Sequence, residues 1–228
     1  MNKNLTEIAF ILDRSGSMQS VTESAITGFN EFLRDQQKTE GQARLSLVLF
    51  DNEYLVPMAR IPIQEATGLD TTTYVPRGST ALLDAIGTTI DSLGTRLAST
   101  PEAERPAQVI VAILTDGFEN ASQKFTWREI SDKILEQTNT YKWQFLFLGA
   151  NQDAIATASR LQIDPANAAS YLADKVGTLS SNKAVSRRMS AFRKMAAGSP
   201  MHIKEQNDAS TPLEKIVNEE DAQRRKKE

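Results

Sequence analysis

Ile8-Ala9-Phe10-Ile11-Leu12-Asp13-Arg14-Ser15-Gly16-Ser17 is the stretch on which the fold turns. Its first half is an unbroken apolar run, inside a segment from Leu5 to Leu12. Runs of this kind read as parallel strands covered on both faces. The run breaks at Asp13, and Val21, Ala25, Phe29 and Phe32 then recur at helical spacing, which predicts an amphipathic helix over 18–36. Leu45 to Phe50 is a second apolar strand. Asp51-Asn52 turns it into Tyr54-Leu55-Val56, which reads as a hairpin partner. A loop-rich stretch, 60–79, follows. Leu83, Ile86, Ile90, Leu93 and Leu97 mark a helix over 80–98, and Ser99 to Pro106 is a polar loop. Val109 to Leu114 is the strongest strand signal and stops at Thr115-Asp116-Gly117. Thr126 and Glu129 form a capping box that opens a helix over 126–138. A strand at 144–148, a helix at 151–161 and an edge strand at 168–172 complete the pattern. Apolar strands alternating with helices predict an α/β fold with a mostly parallel sheet. Ligands of such sheets bind beyond the carboxyl ends of the strands, so the residues that follow the strands carry the information.

Composition narrows the chemistry. The chain has 228 residues, 40% hydrophobic and 24% charged, enough for one sizeable core. It has no cysteine, which excludes a disulfide framework, thiolate catalysis and Cys-ligated zinc or iron–sulfur sites. Its single histidine, His202, excludes sites built on paired histidines and reads as a surface residue. Trp127 and Trp143 read as packing residues. A net charge of −3 argues against a polyanion binder, so no nucleic-acid partner is expected. No apolar run approaches the roughly 18 residues of a membrane span. The first residues show no signal-peptide pattern, so the expected location is the cytoplasm, with no membrane partner.

Charge is placed unevenly. Residues 1–174 hold 22 acidic and 14 basic side chains, whereas 175–195 hold six basic and no acidic ones. The basic segment carries Val185, Met189, Phe192 and Ala196 on one stripe, so it reads as an amphipathic helix ending at Gly198-Ser199-Pro200. Its charged face either packs on the acidic body or meets a second acidic surface on a partner. The expected organisation is one domain over 1–198 that includes this helix, followed by a charged tail over 199–228. Thr211-Pro212-Leu213-Glu214 permits a short helix in that tail, and the charged end, 224–228, reads as mobile.

The strand exits supply the chemistry. Asp13, Ser15 and Ser17 follow the first strand, Gly78-Ser79-Thr80 opens a helix, and Asp116-Gly117 follows the strongest strand. Each has an ordinary structural reading: Ser17 and Thr80 as helix caps, Asp116-Gly117 as a turn. Together they bring two carboxylates and three hydroxyls to one edge of the sheet. An all-oxygen set suits Mg²⁺ or Mn²⁺ and not zinc or copper. Two carboxylates balance a divalent ion. Neutral hydroxyls occupy part of an octahedron at about 2.1 Å and leave the ion electrophilic. An open position then attracts a carboxylate from outside, helped by the positive end of the helix that starts near Met18.

Asp-x-Ser-x-Ser directly after an apolar strand, with a later strand ending in Thr-Asp-Gly, resembles the von Willebrand factor A (vWA) domain and its metal-ion-dependent adhesion site. Asp13, Ser15 and Ser17 fall on the family's first motif, Thr80 on its lone threonine and Asp116 on its last aspartate. The resemblance covers roughly 5–172 and is nearest to stand-alone bacterial members. It implies a Rossmann-like three-layer sandwich: a six-stranded, mostly parallel sheet with one antiparallel edge strand. It also implies serine and threonine ligands to the ion, aspartates acting directly or through water, and a Glu or Asp of a partner protein completing the site. Stand-alone relatives serve as scaffolds beside ATPases, kinases or stress and defence machinery, which sets the expected class of partner.

Arg14, Met18, Gln19, Tyr74, Arg77, Phe118, Glu119 and Asn120 adjoin the motif residues and are the candidate partner-binding rim. Arg14 and Arg77 would favour an acidic partner. Glu119 has the opposite sign and could instead ligate a second ion. Asp51 reads as a turn residue rather than a further ligand. The competing reading is an Mg²⁺-dependent hydrolase or phosphatase using Asp13 and Asp116. Haloacid-dehalogenase-like phosphatases carry a second aspartate as acid/base where this chain has Ser15. No Gly-x-Ser-x-Gly elbow, P-loop or dinucleotide fingerprint is present. The residues therefore favour a non-catalytic interaction module.

Overall fold

The computed structural model describes residues 1–150 and 154–227. Six strands form one sheet: β1 (Asn2–Asp13), β2 (Gln42–Phe50), β3 (Tyr54–Pro62), β4 (Pro106–Thr115), β5 (Gln144–Ala150) and β6 (Ala168–Tyr171). Their order is β3-β2-β1-β4-β5-β6. Every pairing is parallel except β2 with β3. The register sets Ile8 beside Leu45 on one side and Ile110 on the other, so β1 lies in the middle. The helices are α1 (Thr22–Lys38), α2 (Leu82–Ser99), α3 (Trp127–Tyr141), α4 (Ala154–Arg160), α5 (Lys175–Ala197), α6 (Ile203–Ser210) and α7 (Leu213–Arg225). The expected helix over 151–161 is described from Ala154 onward; 151–153 lie outside the described residues. None of the described helices is long and apolar enough to cross a membrane.

Alternation along the strands splits the core into two layers. Ile8, Phe10 and Leu12 of β1 face α1, α5 and α7, where Phe10 meets Phe29 and Phe32 at ring-centroid distances of 5.3 and 4.5 Å. Ala9 and Ile11 face the opposite way, against α2, α3 and α4. Both faces are covered, which is why the central strands read as unbroken apolar runs.

Three segments differ from the sequence expectation. The edge strand β3 runs on to Pro62 rather than giving way to loop at 60. Arg60 sits at an irregularity in the β2–β3 pairing with φ 52°. Its amide donates to Ser46 Oγ, and its guanidinium makes a two-pronged ion pair with the fully buried Glu7. That long-range pair holds a strand whose own sequence, with two prolines, looks like loop.

Helix α5 begins at Lys175, eight residues before the basic stripe. Its first turns, Gly177, Thr178, Ser180, Ser181 and Asn182, are small or polar, so they lack an apolar period, yet all are buried. They permit close approach: a Cβ on Gly28 of α1 would lie 2.7 Å from Asn182 Nδ2.

The chain past Gly198 is docked rather than mobile: the helix that Thr211-Pro212-Leu213-Glu214 permits is α7, and α6 precedes it. Leu213, Ile216 and Val217 of α7 complete the α1/α5 side of the core. Arg187 of α5 ties the segment down, forking onto Asp208 (2.5 and 3.0 Å) and reaching Glu220 at 2.9 Å. At the end expected to be mobile, Arg224 bonds Glu31 and Arg225 bonds Asp174; Glu228 lies outside the described residues. The basic face of α5 thus meets acids of its own chain: Lys183 pairs with Asp35 and Lys194 with Glu205. The second acidic surface is internal.

Candidate metal centre

The ends of β1 and β4, the turn after β1 and the start of α2 meet at the carboxyl edge of the sheet. There, Asp13 Oδ1 accepts from Ser15 N at 2.6 Å, and Asp13 Oδ2 accepts from Thr115 Oγ1 at 2.5 Å. Ser15 Oγ and Ser17 Oγ are 3.0 Å apart, and Ser17 Oγ donates to Asp116 Oδ1 at 2.5 Å. Thr80 joins them across Gly117. A Cβ on Gly117 would lie 2.7 Å from Thr80 Oγ1 and 3.4 Å from Ser17 Oγ, so a side chain there would fill the space between the hydroxyls. All five sequence-predicted ligands are therefore brought into one cradle.

The electrostatics are unusual in one respect. Among the described residues, neither Asp13 nor Asp116 has a cationic partner. Burial pushes the Asp13 carboxyl up to about 6 despite the lowering effect of the Thr115 hydroxyl, and Asp116 adds like-charge repulsion. Burial likewise raises Asp116. A buried carboxylate beside a half-buried one, with hydroxyls but no cation to balance them among the described residues, is costly unless a cation joins them. Among the described residues no three acids or histidines gather as a metal group, so any ion here needs the hydroxyls as well as the two acids. The donor set fits a hard divalent cation.

The rim divides. Gln19, Phe118 and Asn120 are exposed, Phe118 at 67%. Met18 is 1% exposed and belongs to the core, because the short 3₁₀ turn over Gly16–Val21 points it inward beside Val21. Tyr74 is buried too, and its hydroxyl donates to the Asp13 carbonyl at 2.6 Å, bracing the site from beneath. Arg14 is buried, with Nη2 3.1 Å from Asp51 Oδ2. Arg77 is half-exposed but pairs with Asp51 and Glu53. Neither arginine offers a free charge to an acidic partner.

Glu119 is neither a second-ion ligand nor a free rim charge. Its carboxylate accepts from the Leu83, Ala121 and Ser122 amides and from the Ser122 hydroxyl, at 2.7–3.0 Å, and so caps α2 from a neighbouring loop. Asp84 reciprocates by accepting from the amides of Gln123, Lys124 and Phe125. Asn120 Oδ1 accepts from Thr80 N at 2.9 Å. Thr115 and Asp84 are supporting residues to which sequence reasoning assigned no role, whereas Tyr74 and Asn120, expected on the rim, and Asp51, expected in a turn, support the site from behind. Asp51 left its signal as an acid directly after a strand, and Tyr74 and Asn120 left theirs as neighbours of the motif residues.

No protein-family model matches the chain, and no curated protein matches it. Solved structures do. Manganese-loaded TRAP protein from Plasmodium vivax is similar at TM-score 0.53 and 16% identity, over 78% of this chain and 72% of that one. Proximal thread matrix protein 1 from the mussel byssus gives TM-score 0.51 and 17% identity, over 85% of this chain and 46% of that one. A von Willebrand factor type A protein from Catenulispora acidiphila gives TM-score 0.48 and 15% identity, over 84% and 42%. The chain spans less than half of the last two. Its fold is the Rossmann-like three-layer fold of vWA domains: six strands, one antiparallel, with helices on both faces.

Proposed function

We propose that this chain is a non-catalytic protein-interaction module that binds a Glu or Asp of a partner protein through a divalent ion, Mg²⁺ or Mn²⁺, held at Asp13, Ser15, Ser17, Thr80 and Asp116. The observation that supports it best is the buried Asp13 and half-buried Asp116 carboxylates, which have no cationic partner among the described residues and are joined by hydroxyls in one cradle at the sheet edge. Bound there, the ion supplies an electrophilic seat for an outside carboxylate. Asp13 and Asp116 bring charge to balance it. The three hydroxyls bring neutral oxygen, so the seat keeps net attraction for an anion. Thr115 and Tyr74 hold Asp13 in place. Phe118, Gln19 and Asn120 form the surface that would touch the partner around its acid. An exposed phenylalanine on a hydrogen-bonded loop is the kind of residue that anchors an interface. The manganese-loaded relative is a fold neighbour whose ion accords with this donor set.

The hydrolase reading is weaker because Ser15 stands where an acid/base carboxylate would be required. The test is capture of a partner on immobilised protein in Mg²⁺ and in EDTA, beside Thr80→Ala. The reading requires capture that disappears in EDTA and in the variant. Capture that survives EDTA contradicts it, and turnover of p-nitrophenyl phosphate by the wild type, lost in Asp13→Asn, would favour the hydrolase.

A further inference from the structure

Three neighbouring parallel strands are each closed or followed by an aspartate at the same edge: Asp13 on β1, Asp51 after β2 and Asp116 after β4. Asp51 is fully buried, and it alone of the three is surrounded by cations. Its Oδ2 lies 3.1 Å from Arg14 Nη2 and 3.1 Å from Arg77 Nε, while its Oδ1 accepts from Glu53 N at 2.5 Å. Glu53 in turn contacts both arginines. The quartet is balanced, two positive and two negative, and both Asp51 oxygens are occupied, so Asp51 is not a spare ligand.

We propose that Asp51, with Arg14 and Arg77, is a positioning clamp that sets ion affinity by holding the Thr80 loop against the Asp13 loop; this rests on the metal reading above. Three loops converge on it. Arg14 belongs to the Asp13–Ser17 turn, and its amide donates to Phe50 O at 2.8 Å. Arg77 belongs to the segment that delivers Thr80, and its amide donates to Arg14 O at 2.8 Å. The Asp51 carbonyl accepts from Ala81 N at 2.9 Å, one residue past Thr80, and Gly16 N donates to Gly78 O at 3.1 Å. Thr80 thus sits in a short segment pinned on both sides, at Arg77 and at Ala81, to the same aspartate. Without the Asp51 carboxylate the backbone bond from Ala81 remains, but the Arg77 side of the segment that carries Thr80 loses its side-chain tie to the Asp13–Ser17 turn. Residues that orient ligands from behind in this way typically govern about tenfold to a hundredfold in metal affinity.

A purely electrostatic role makes the opposite prediction for Arg77. Removing a positive charge near a cation seat would tighten ion binding, whereas loosening the clamp weakens it. Arg77 is half-exposed, so Arg77→Met leaves the core intact. Mn²⁺ is titrated calorimetrically into the full chain as wild type, Arg77→Met and the charge-balanced pair Asp51→Asn/Arg77→Met. Each is also made with Thr80→Ala, and melting curves establish that every variant is folded at the titration temperature. The clamp predicts weaker Mn²⁺ binding in Arg77→Met and a loss of about tenfold or more in the pair. On the Thr80→Ala background neither change adds more than about twofold, because the hydroxyl they position is gone. Should the pair fail to fold, Arg77→Met alone carries the test. Unchanged or tighter binding in Arg77→Met overturns the clamp, as do losses that combine in full with Thr80→Ala. Absence of Mn²⁺ uptake by the wild type removes the metal reading itself and the clamp with it.

Discussion

At the scale of single residues, Asp13 is a buried acid that pairs with no cation among the described residues, held by one amide and two hydroxyl-bearing neighbours, Thr115 to its carboxylate and Tyr74 to its carbonyl. Asp13→Asn keeps the shape and removes the buried charge, so it should raise the melting temperature of the metal-free protein while abolishing Mn²⁺ uptake. Thermal melts in EDTA, paired with a Mn²⁺ titration, check both halves. The five candidate ligands were legible in the sequence because each follows a strand or opens a helix, and strand ends of a parallel sheet share one edge. The rim was not. Sequence adjacency says that Arg14, Met18 and Glu119 lie beside ligands. It does not say that Arg14 finds Asp51, that a 3₁₀ turn rotates Met18 inward, or that Glu119 caps a helix from another loop.

Among the elements, α5 shows how polar sequence can be core. Arg193 is 1% exposed and, among the described residues, pairs with no acid. Its guanidinium donates to the carbonyls of Gln36, Thr39 and Gly41 and to Gln36 Oε1, closing the carboxyl end of α1. Burial draws its guanidinium down to about 10, yet the negative end of the α1 dipole still favours a cation there. Arg193→Met would take a donor from the Thr39 and Gly41 carbonyls and from Gln36 Oε1, while Gln36 O keeps Thr39 N, at about 1–3 kcal/mol for each group left unpaired. Chemical denaturation should show a loss of roughly 3 kcal/mol or more, with Mn²⁺ affinity unchanged in the folded fraction. A larger effect on Mn²⁺ than on stability would contradict this assignment. The first turns of α5 escaped the sequence reading for the same reason. Hydrophobic periodicity detects apolar stripes, and the small and polar residues of these turns serve close approach, Asn182 to Gly28 of α1 and Gly177 to the Leu172 backbone, rather than apolar area.

For the whole molecule, alternating apolar strands and helices sufficed to give the layered α/β architecture, because a sheet covered on both faces announces itself in unbroken apolar runs. What local patterns could not supply was the reach of long-range pairs. Glu7 with Arg60 holds the edge strand, and Arg187 with Asp208 and Glu220 holds the last two helices. A chain ended at Gly198 would uncover the core face that Leu213, Ile216 and Val217 now complete, at about 1.5–3 kcal/mol for each large side chain. Such a truncation should melt at a clearly lower temperature or fail to fold, and a melting temperature equal to that of the full chain would show that α6 and α7 are dispensable. The central claim concerns the cradle at the sheet edge, and calorimetric titration of Mn²⁺ into EDTA-stripped wild type, beside Asp13→Ala and Thr80→Ala, tests it most directly. The account predicts one-site binding in the wild type, weak because a coordination position is left to water, lost in Asp13→Ala and clearly weakened in Thr80→Ala, while circular dichroism shows both variants folded. Wild-type heats that match the variants would contradict it and reduce the five residues to caps and turns.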